Sequence, residues 1–572
     1  MPRNAFREFK DEVRAALEAA LNQLGVSVDV VLDRAPEGMG DLAFPCFPLA
    51  KLLRKAPDAI AKDLASKIPP SGMLEKAEVS GGYVNFHAKY NELAQASLEE
   101  ALASKKSYGR AQAKNKRILL EHTSANPTGP LHVGRARNPI IGDTMARILR
   151  MAGYDVSTEF YVNDVGRQVV VMTWGVKNLA LQKVPSRDED HYRYVLYYQD
   201  ANKRVEEDQE ALAEVDDMLY KLEHGDEEIV KLARNTCERV LEAIRNSMRR
   251  INIEYDGFAW ESRFVQDGSV DRIIDQLKRS EYCREVEGAY HLELEAFGIS
   301  GRDTKWVFTR SDGTSLYTTR DLAYHTDKFT RCDIALNVLG EDQKLGMQQL
   351  AAALSILGSD RRPDVVFYAF VSLPEGRMST RKGTVVYIDE LIDEAVERAY
   401  EEVRKRRTDL SEERMNEISR IVGIGALRYN IIRIQAEKQI VFKWEDALNF
   451  EGSSAPFIQY AHARACSILQ KAEAEVEGFD ASKLTTIHEK NLVKLIAEFP
   501  SVVEDCAENR RAHPMAAYAQ ELAAQFNQFY RYVPVLKAEG EARAARLALV
   551  EASRWAMNNA LECLGIEAPQ EM

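Results

Sequence analysis

Residues 121–143 read EHTSANPTGPLHVGRARNPIIGD. A Ser/Asn-rich loop broken by Gly and Pro leads into a lone His, a Gly and an apolar helical pattern. Before it, RILLE (117–121) is a short apolar strand. After it, the helical pattern runs from about Leu131 to Ala152 and stops at Gly153, and YDVSTEFYV (154–162) is another strand. The whole is one βαβ unit. Pro139 predicts a kink, or a helix that begins later than Leu131. A helix N-terminus carries unpaired N–H groups and partial positive charge, so it favours a phosphate. Gly134 leaves room for a flat ring against the backbone, and His132 can donate a hydrogen bond without a full charge. Alone, His-x-Gly is more often an ordinary helix start. Placed one loop after a strand, it reads as a nucleotide cradle.

A second unit lies far downstream. DIALNVLG (333–340) reads as strand, QKLGMQQLAAALSILG (343–358) as helix and DVVFYAFVSL (364–373) as strand. Two such units predict a multidomain α/β plus all-α chain: a doubly wound, Rossmann-like nucleotide-binding domain over 116–390, interrupted by an insertion at about 170–305. Residues 1–115 read as a separate α+β domain, in which AEVSGGYVNFHAKY (77–90) is a pair of strands around Gly81-Gly82. From 391 to 572 every periodic stretch is helical, with a terminal helical domain proper from about 415.

A chain of 572 residues needs several cores. Net charge is −13, but residues 186–228 hold 15 acids and 5 bases, so that block accounts for −10 and the remainder for −3. The acidity is local and leaves a polyanionic partner open. Seven cysteines lie far apart without a CxxC, which predicts a reducing compartment and no structural metal. No apolar run is long enough to span a membrane, and the start reads as an amphipathic helix rather than a signal peptide. The cytoplasm is the expected location.

The residues carry a family resemblance. HVGR (132–135) resembles the HIGH signature of class I aminoacyl-tRNA synthetases, and PEGRMSTRKGTVV (374–386) sits where their KMSKS loop falls. The wider text, with YVNDVGRQ (161–168), SDGTSLYTTRDLAYH (311–325), FEGSSAPFIQYAHARACSIL (450–469) and the ending LGIEAPQEM (564–572), is similar to arginyl-tRNA synthetases. The resemblance spans nearly the whole chain and implies ligation of arginine to its tRNA through an arginyl-adenylate, releasing pyrophosphate and AMP. The implied partners are ATP with Mg2+ as a substrate complex, L-arginine and the tRNA for arginine, with no membrane, and a monomeric enzyme is expected.

The resemblance also implies site residues. The HIGH-like segment comprises Ala125, Asn126, Pro127, Thr128, Gly129, Pro130, Leu131, His132, Val133, Gly134 and Arg135. His132 and Gly134 would meet ATP, and Met378, Ser379, Arg381 and Lys382 would close on the pyrophosphate. The pattern departs at Arg135, at Thr380 and at Gly129, where some relatives carry lysine, so positive charge must come from Lys382, Arg381 or Arg135, with Lys382 favoured. A guanidinium presents five donors and a fixed charge and needs anionic acceptors. Asp321 is the implied partner, with Tyr317 one turn earlier, and Gln343 completes the lining. Ser124 and Asn126 would hold the amino and carboxylate groups, and Glu121 would attract the α-ammonium. Asp164 reads as a structural turn residue, and Gln168 has no assigned role. For tRNA, Ser80, Tyr83 and Asn85 are implied at the D-loop, and Tyr530, Tyr532 and Met572 in the anticodon-binding domain. Without the resemblance, Tyr317–Asp321 reads as a surface pair and Glu121 as a strand-end carboxylate paired with an Arg. A catalytically impaired tRNA-binding relative and a class I synthetase of other specificity are the competing readings.

Overall fold

The computed structural model describes residues 4–36, 38–372, 386–473 and 478–572. Its strands, in chain order, are β1 (Asp33–Arg34), β2 (Leu42–Pro45), β3 (Leu74–Ser80), β4 (Tyr83–Ala88), β5 (Arg117–Glu121), β6 (Asp155–Val162), β7 (Gly257–Trp260), β8 (Cys283–Val286), β9 (Ala289–Glu293), β10 (Lys305–Val307), β11 (Ile334–Gly340), β12 (Asp364–Tyr368), β13 (Val371–Ser372) and β14 (Ile440–Val441). The organising element is a five-stranded parallel sheet of order β12-β11-β5-β6-β7. The chain leaves β5 toward β6 on one side, while β11 lies on the other. The carboxyl ends of β5 and β11 therefore flank the topological switch point, where open α/β sheets bind ligands.

The insertion differs from expectation. Its acidic block forms helices Asp190–Glu207, Gln209–Glu223 and Glu227–Arg250, but the chain then returns to the main sheet as β7. Only after β7 does it leave again, to build the antiparallel sheet β10-β9-β8. The expected strand at 364–373 is also broken: β12 stops at Tyr368, and β13 pairs instead with β14.

The helix after β5 begins at Arg137 and ends at Met151. Pro139 is its third residue, where no intrahelical N–H bond is required, so no kink is needed. Gly153 ends it at φ +86°, and a Cβ there would meet the Gln112 carbonyl oxygen at 2.0 Å.

The N-terminal part packs helix Ala5–Gln23 on the β1-β2-β4-β3 sheet around Phe9, Val13, Leu17 and Phe86. Its edge is tied to the C-terminal helices by Arg7–Glu504 at 2.6 Å, Arg34–Glu521 at 2.8 Å and Lys494–Asp41 at 2.6 Å. Those helices include Glu412–Ile432, Ala455–Ala472, Ile487–Glu508, His513–Tyr532 and Gly540–Cys563. Fully buried Arg428 joins them to the helix Arg137–Met151. It donates to Asp143 at 2.5 Å and to the carbonyls of Ile251 and Leu564. Burial pulls its pKa down to about 10, with Asp143 opposing.

Candidate active site

The loop leaving β5 carries backbone strain. Thr123 and Ser124 have φ of +74° and +32°, a region that a β-branched residue rarely enters and that costs about 1–3 kcal/mol per residue. Three ties hold it. Asn138 accepts from the Thr123 N–H at 2.6 Å and donates to the Val338 carbonyl at 2.9 Å, so one side chain links loop, helix and β11. Tyr255 reaches the Thr123 hydroxyl at 2.7 Å. Ser124 Oγ donates to Glu121 at 2.8 Å and accepts from the Tyr161 N–H at 3.2 Å. Beneath the loop, His122 packs on Gly142, where a Cβ would lie 2.4 Å from the ring. Burial lowers the His122 pKa to about 4, so the imidazole is neutral.

The HVGR turn is a 3-10 segment, Val133–Arg135, opening the helix. It is stitched to the residues that follow the second signature: Val133 N–H donates to the Val386 carbonyl at 3.0 Å, and Ile388 N–H to the Leu131 carbonyl at 2.8 Å. The His132 and Tyr387 rings sit 5.5 Å apart. The insertion braces the same point. Asp389 is buried, receives Ser247 at 2.9 Å and Arg250 at 3.0 Å, and lies 3.2 Å from His191. Met378, Ser379, Arg381 and Lys382 lie outside the described residues. His132 and Arg135 are exposed and Gly134 is buried. Desolvation, with Arg135 nearby, holds the His132 pKa below its ordinary value, so the ring is neutral at pH 7 and donates through N–H alone. Fully buried Arg137 donates to the carbonyls of Ala369, Gln435 and Lys438 at 2.6–2.7 Å, clamping the end of β12 to the 434–438 segment.

Gly129 has a steric reason. The insertion helix passes so close that a Cβ would sit 2.8 Å from Val195 Cβ, so a longer side chain requires Val195 to move.

The helix Tyr317–Arg331 starts at Tyr317, which places Asp321 one turn further on the same face. The Asp321 side chain keeps 38% of its surface open, enough to receive a ligand. Burial works against its charge, but His325 and Lys328 hold its pKa below the ordinary value. Tyr317 is 66% exposed, so in the free chain it stands at a rim rather than forming a wall. Gln343 is exposed and donates to Asp342 at 3.0 Å, and Asn126 donates to Gln168 at 2.7 Å.

Glu121 differs from the sequence reading in its partner. It is buried against the ammonium of Lys328, not an Arg, and also takes the Ser124 hydroxyl. Its charge is therefore already shared between Lys328 and the Ser124 hydroxyl. Asp164 is a structural residue: it accepts from the Ser262 N–H at 2.9 Å and hydroxyl at 2.6 Å, tying the end of β6 to the helix after β7.

Sequence reasoning missed several groups here. Tyr161 stacks on Tyr324 with centroids 4.6 Å apart, and its buried hydroxyl has no partner among the described residues. Glu261 is buried against Arg320, its second oxygen has no partner among the described residues, and burial raises its pKa to about 7. Both lie within electrostatic reach of Asp321. Lys328, Asn337 and His325 complete the floor.

Among the residues expected at tRNA, Tyr83 is exposed and edges onto exposed Phe47 at 5.2 Å, with Ser80 half-buried beside it. Asn85 stands on the same face of β4 as Tyr83 and is 3% exposed, so its amide is covered in the free chain. Tyr530 and Tyr532 are both exposed. Tyr530 lies under Arg464, whose guanidinium also covers Tyr460, and Tyr532 stacks on His488 at 4.9 Å. Met572 is half-buried: its side chain packs on the cluster that holds Val403 and Ile418, and its carbonyl accepts from Arg407 at 2.5 Å.

Among the described residues no cluster of side chains suits a metal ion, no cysteine is paired, and no helix is long and apolar enough to cross a membrane.

Comparison with known proteins matches three family models in order: the arginyl tRNA synthetase N-terminal domain at residues 7–88, the class I (R) tRNA synthetase catalytic domain at 97–444, and the DALR anticodon-binding domain at 458–572. The arginine–tRNA ligase of Methanocella arvoryzae is 50% identical over 528 residues, covering 92% of each chain. That of Methanothermobacter thermautotrophicus is 45% identical over 99% of this chain and 100% of its own. The structure of Thermus thermophilus arginyl-tRNA synthetase superposes with a TM-score of 0.84 at 30% identity, covering 98% and 99% of the two chains. With its parallel nucleotide-binding sheet, N-terminal domain and helical C-terminal domain, this chain belongs to the arginyl-tRNA synthetase family of class I and is an arginine–tRNA ligase.

Proposed function

We propose that the crevice at the carboxyl ends of β5 and β11 holds both substrates of arginine activation, with roles assigned residue by residue. Asp321 takes the guanidinium, with Tyr317 and Gln343 moving in from the rim and the Tyr161 hydroxyl available from the floor. Ser124, Asn126 and the remaining capacity of Glu121 orient the α-amino and carboxylate groups. The arginine carboxylate then attacks the α-phosphorus of ATP in line, so the protein supplies position and charge stabilisation rather than a nucleophile. Neutral His132 donates to phosphate, Gly134 admits the adenine, and Arg135 adds positive charge. Magnesium enters with ATP as part of the substrate. Lys382, with Met378, Ser379 and Arg381, acts on the leaving pyrophosphate.

In this reading residues 1–115 grip the D-loop through Ser80, Tyr83 and Asn85. Residues 391–572 carry the anticodon surface, with Tyr530 and Tyr532 as stacking platforms. The enzyme works in the cytoplasm as a monomer, in keeping with seven scattered, unpaired cysteines. What supports the assignment is that the strained 121–126 loop and the HVGR turn both follow the carboxyl end of β5, which contacts through Lys328, Asn337 and His325 link to the open Asp321 carboxylate. ATP–pyrophosphate exchange with tRNA present tests it: arginine should exchange while lysine, citrulline and glutamate do not. Exchange supported by lysine or citrulline as well as by arginine refutes the pocket.

A further inference from the structure

Between the Glu121 and Asp321 ends of the crevice runs a buried chain of polar side chains that the catalytic assignment does not use. Lys328 Nζ is fully buried, touches the Glu121 carboxylate and lies 3.0 Å from Asn337 Oδ1. Asn337 Nδ2 lies 2.8 Å from His325 Nε2. His325 Nδ1 lies 2.9 Å from the Asp321 carbonyl and 3.2 Å from its Oδ1. Parallel pairing of β11 with β5 sets Asn337 beside Glu121. Helical spacing sets Asp321, His325 and Lys328, at i, i+4 and i+7, on one face.

The direction of every bond follows from chemistry. An ammonium has donors only, so the Asn337 atom facing Lys328 is its oxygen. The amide nitrogen must then face His325, and it too can only donate, so Nε2 accepts and carries no proton. A ring with a bare Nε2 holds its proton on Nδ1. That proton points at two acceptors, the carbonyl and carboxylate of Asp321, which agrees with the assignment from the far end. A second proton on the ring would set N–H against N–H2 in a dry site.

We infer that Lys328, Asn337 and His325 are positioning residues for arginine selection: the chain locks His325 as the Nδ1–H tautomer with Nε2 as acceptor, which orients the Asp321 carboxylate for the incoming guanidinium. This rests on the proposed role of Asp321.

The first test needs no variant kinetics. In full-length enzyme labelled with [15N]histidine, the His325 signals, assigned by their loss in His325→Asn, should show one protonated nitrogen, Nδ1, at neutral pH. A proton on Nε2, or on both nitrogens, overturns the inference. The second test is kinetic. Asn337→Asp offers Nε2 a carboxylate, which favours a proton there and a ring that neutralises Asp321. The KM for arginine should rise about tenfold or more while the KM for ATP stays within about twofold. His325→Leu should behave alike, and His325→Asn, which keeps a donor near the Nδ1 position, should stay within about threefold of wild type. If Asn337→Asp and His325→Leu both leave arginine KM within about twofold, the inference fails. Asp321→Asn in the same assay separates the two levels: a silent Asp321→Asn removes the proposed reading itself, whereas a strong Asp321→Asn with silent His325→Leu removes only the chain's role.

Discussion

Replacing Asp321 by Asn isolates the charge at the proposed guanidinium site, because shape and size are preserved. In the free enzyme the carboxylate is 38% open and held ionised by the neighbouring His325 and Lys328. In the complex it would become a charge-assisted acceptor for a planar fork of donors. Loss of such a bond costs about 2–4 kcal/mol, and the partial solvent exposure of this carboxylate favours the lower half, about 2–3 kcal/mol. That corresponds to a ~30- to 150-fold fall in kcat/KM for arginine. The assay is ATP–pyrophosphate exchange with saturating tRNA, varying arginine and ATP in turn. The fall should appear on the arginine axis, with the KM for ATP little changed. Discrimination against citrulline, the uncharged isostere, should shrink as well, since Asn no longer rewards a cation. An Asp321→Asn enzyme that uses arginine with wild-type kcat/KM would refute the assignment.

Other perturbations probe the scaffold around the site. Burial lowers the His122 and His462 pKa values to about 4, so the unfolded chain takes up protons below about 6.5 that the folded chain refuses. The stabilisation is complete above about 6.5 and is lost as pH falls toward 4, by at most about 3 kcal/mol per ring. The thermal midpoint should therefore drop over that window, and a curve for His462→Gln as steep as wild type would contradict this. Gly142→Ala drives a Cβ to 2.4 Å from His122, directly under the strained loop. Overpacking should cost about 1–3 kcal/mol in denaturant unfolding and lower activity through displacement of Ser124; an unchanged midpoint with full activity would show that the loop adapts freely. Tyr532→Ala removes an exposed stacking surface, so the KM for tRNA should rise by the equivalent of about 1–3 kcal/mol while arginine activation at saturating tRNA holds. Equal loss in both would assign Tyr532 to folding instead.

The alternation of strands and helices at 117–162 and 333–368 was legible in sequence because apolar runs, Gly stops and helical periodicity agree there. The strand β7 was not, since GFAW is only four residues long and follows nearly 70 residues of helical pattern. Its place in the sheet is set by pairing with β6, which no local signal encodes. Within the proposed site, context after a strand pointed to His132 and the family resemblance, not residue type, pointed to Asp321, while the buried Lys328–Asn337–His325 chain went unread. Its signal was present in DLAYHTDK (321–328), where Asp, His and Lys share a helical face. Charged residues at such spacing usually mark a solvated surface, and only the pairing of β11 with β5 buries this one. Asn85 and Met572 show the same limit: a polar amide in a hairpin and a chain terminus suggest exposure, and tertiary packing covers the first and half-buries the second.

The central claim is that one crevice at the sheet edge seats the nucleotide on the HVGR turn and the guanidinium on Asp321. A crystal structure with a non-hydrolysable arginyl-adenylate analogue and the tRNA measures it directly. The account predicts a guanidinium within hydrogen-bonding distance of the Asp321 carboxylate, adenine against Gly134, and His132 facing phosphate. An analogue bound with its guanidinium elsewhere and Asp321 facing bulk water would contradict it.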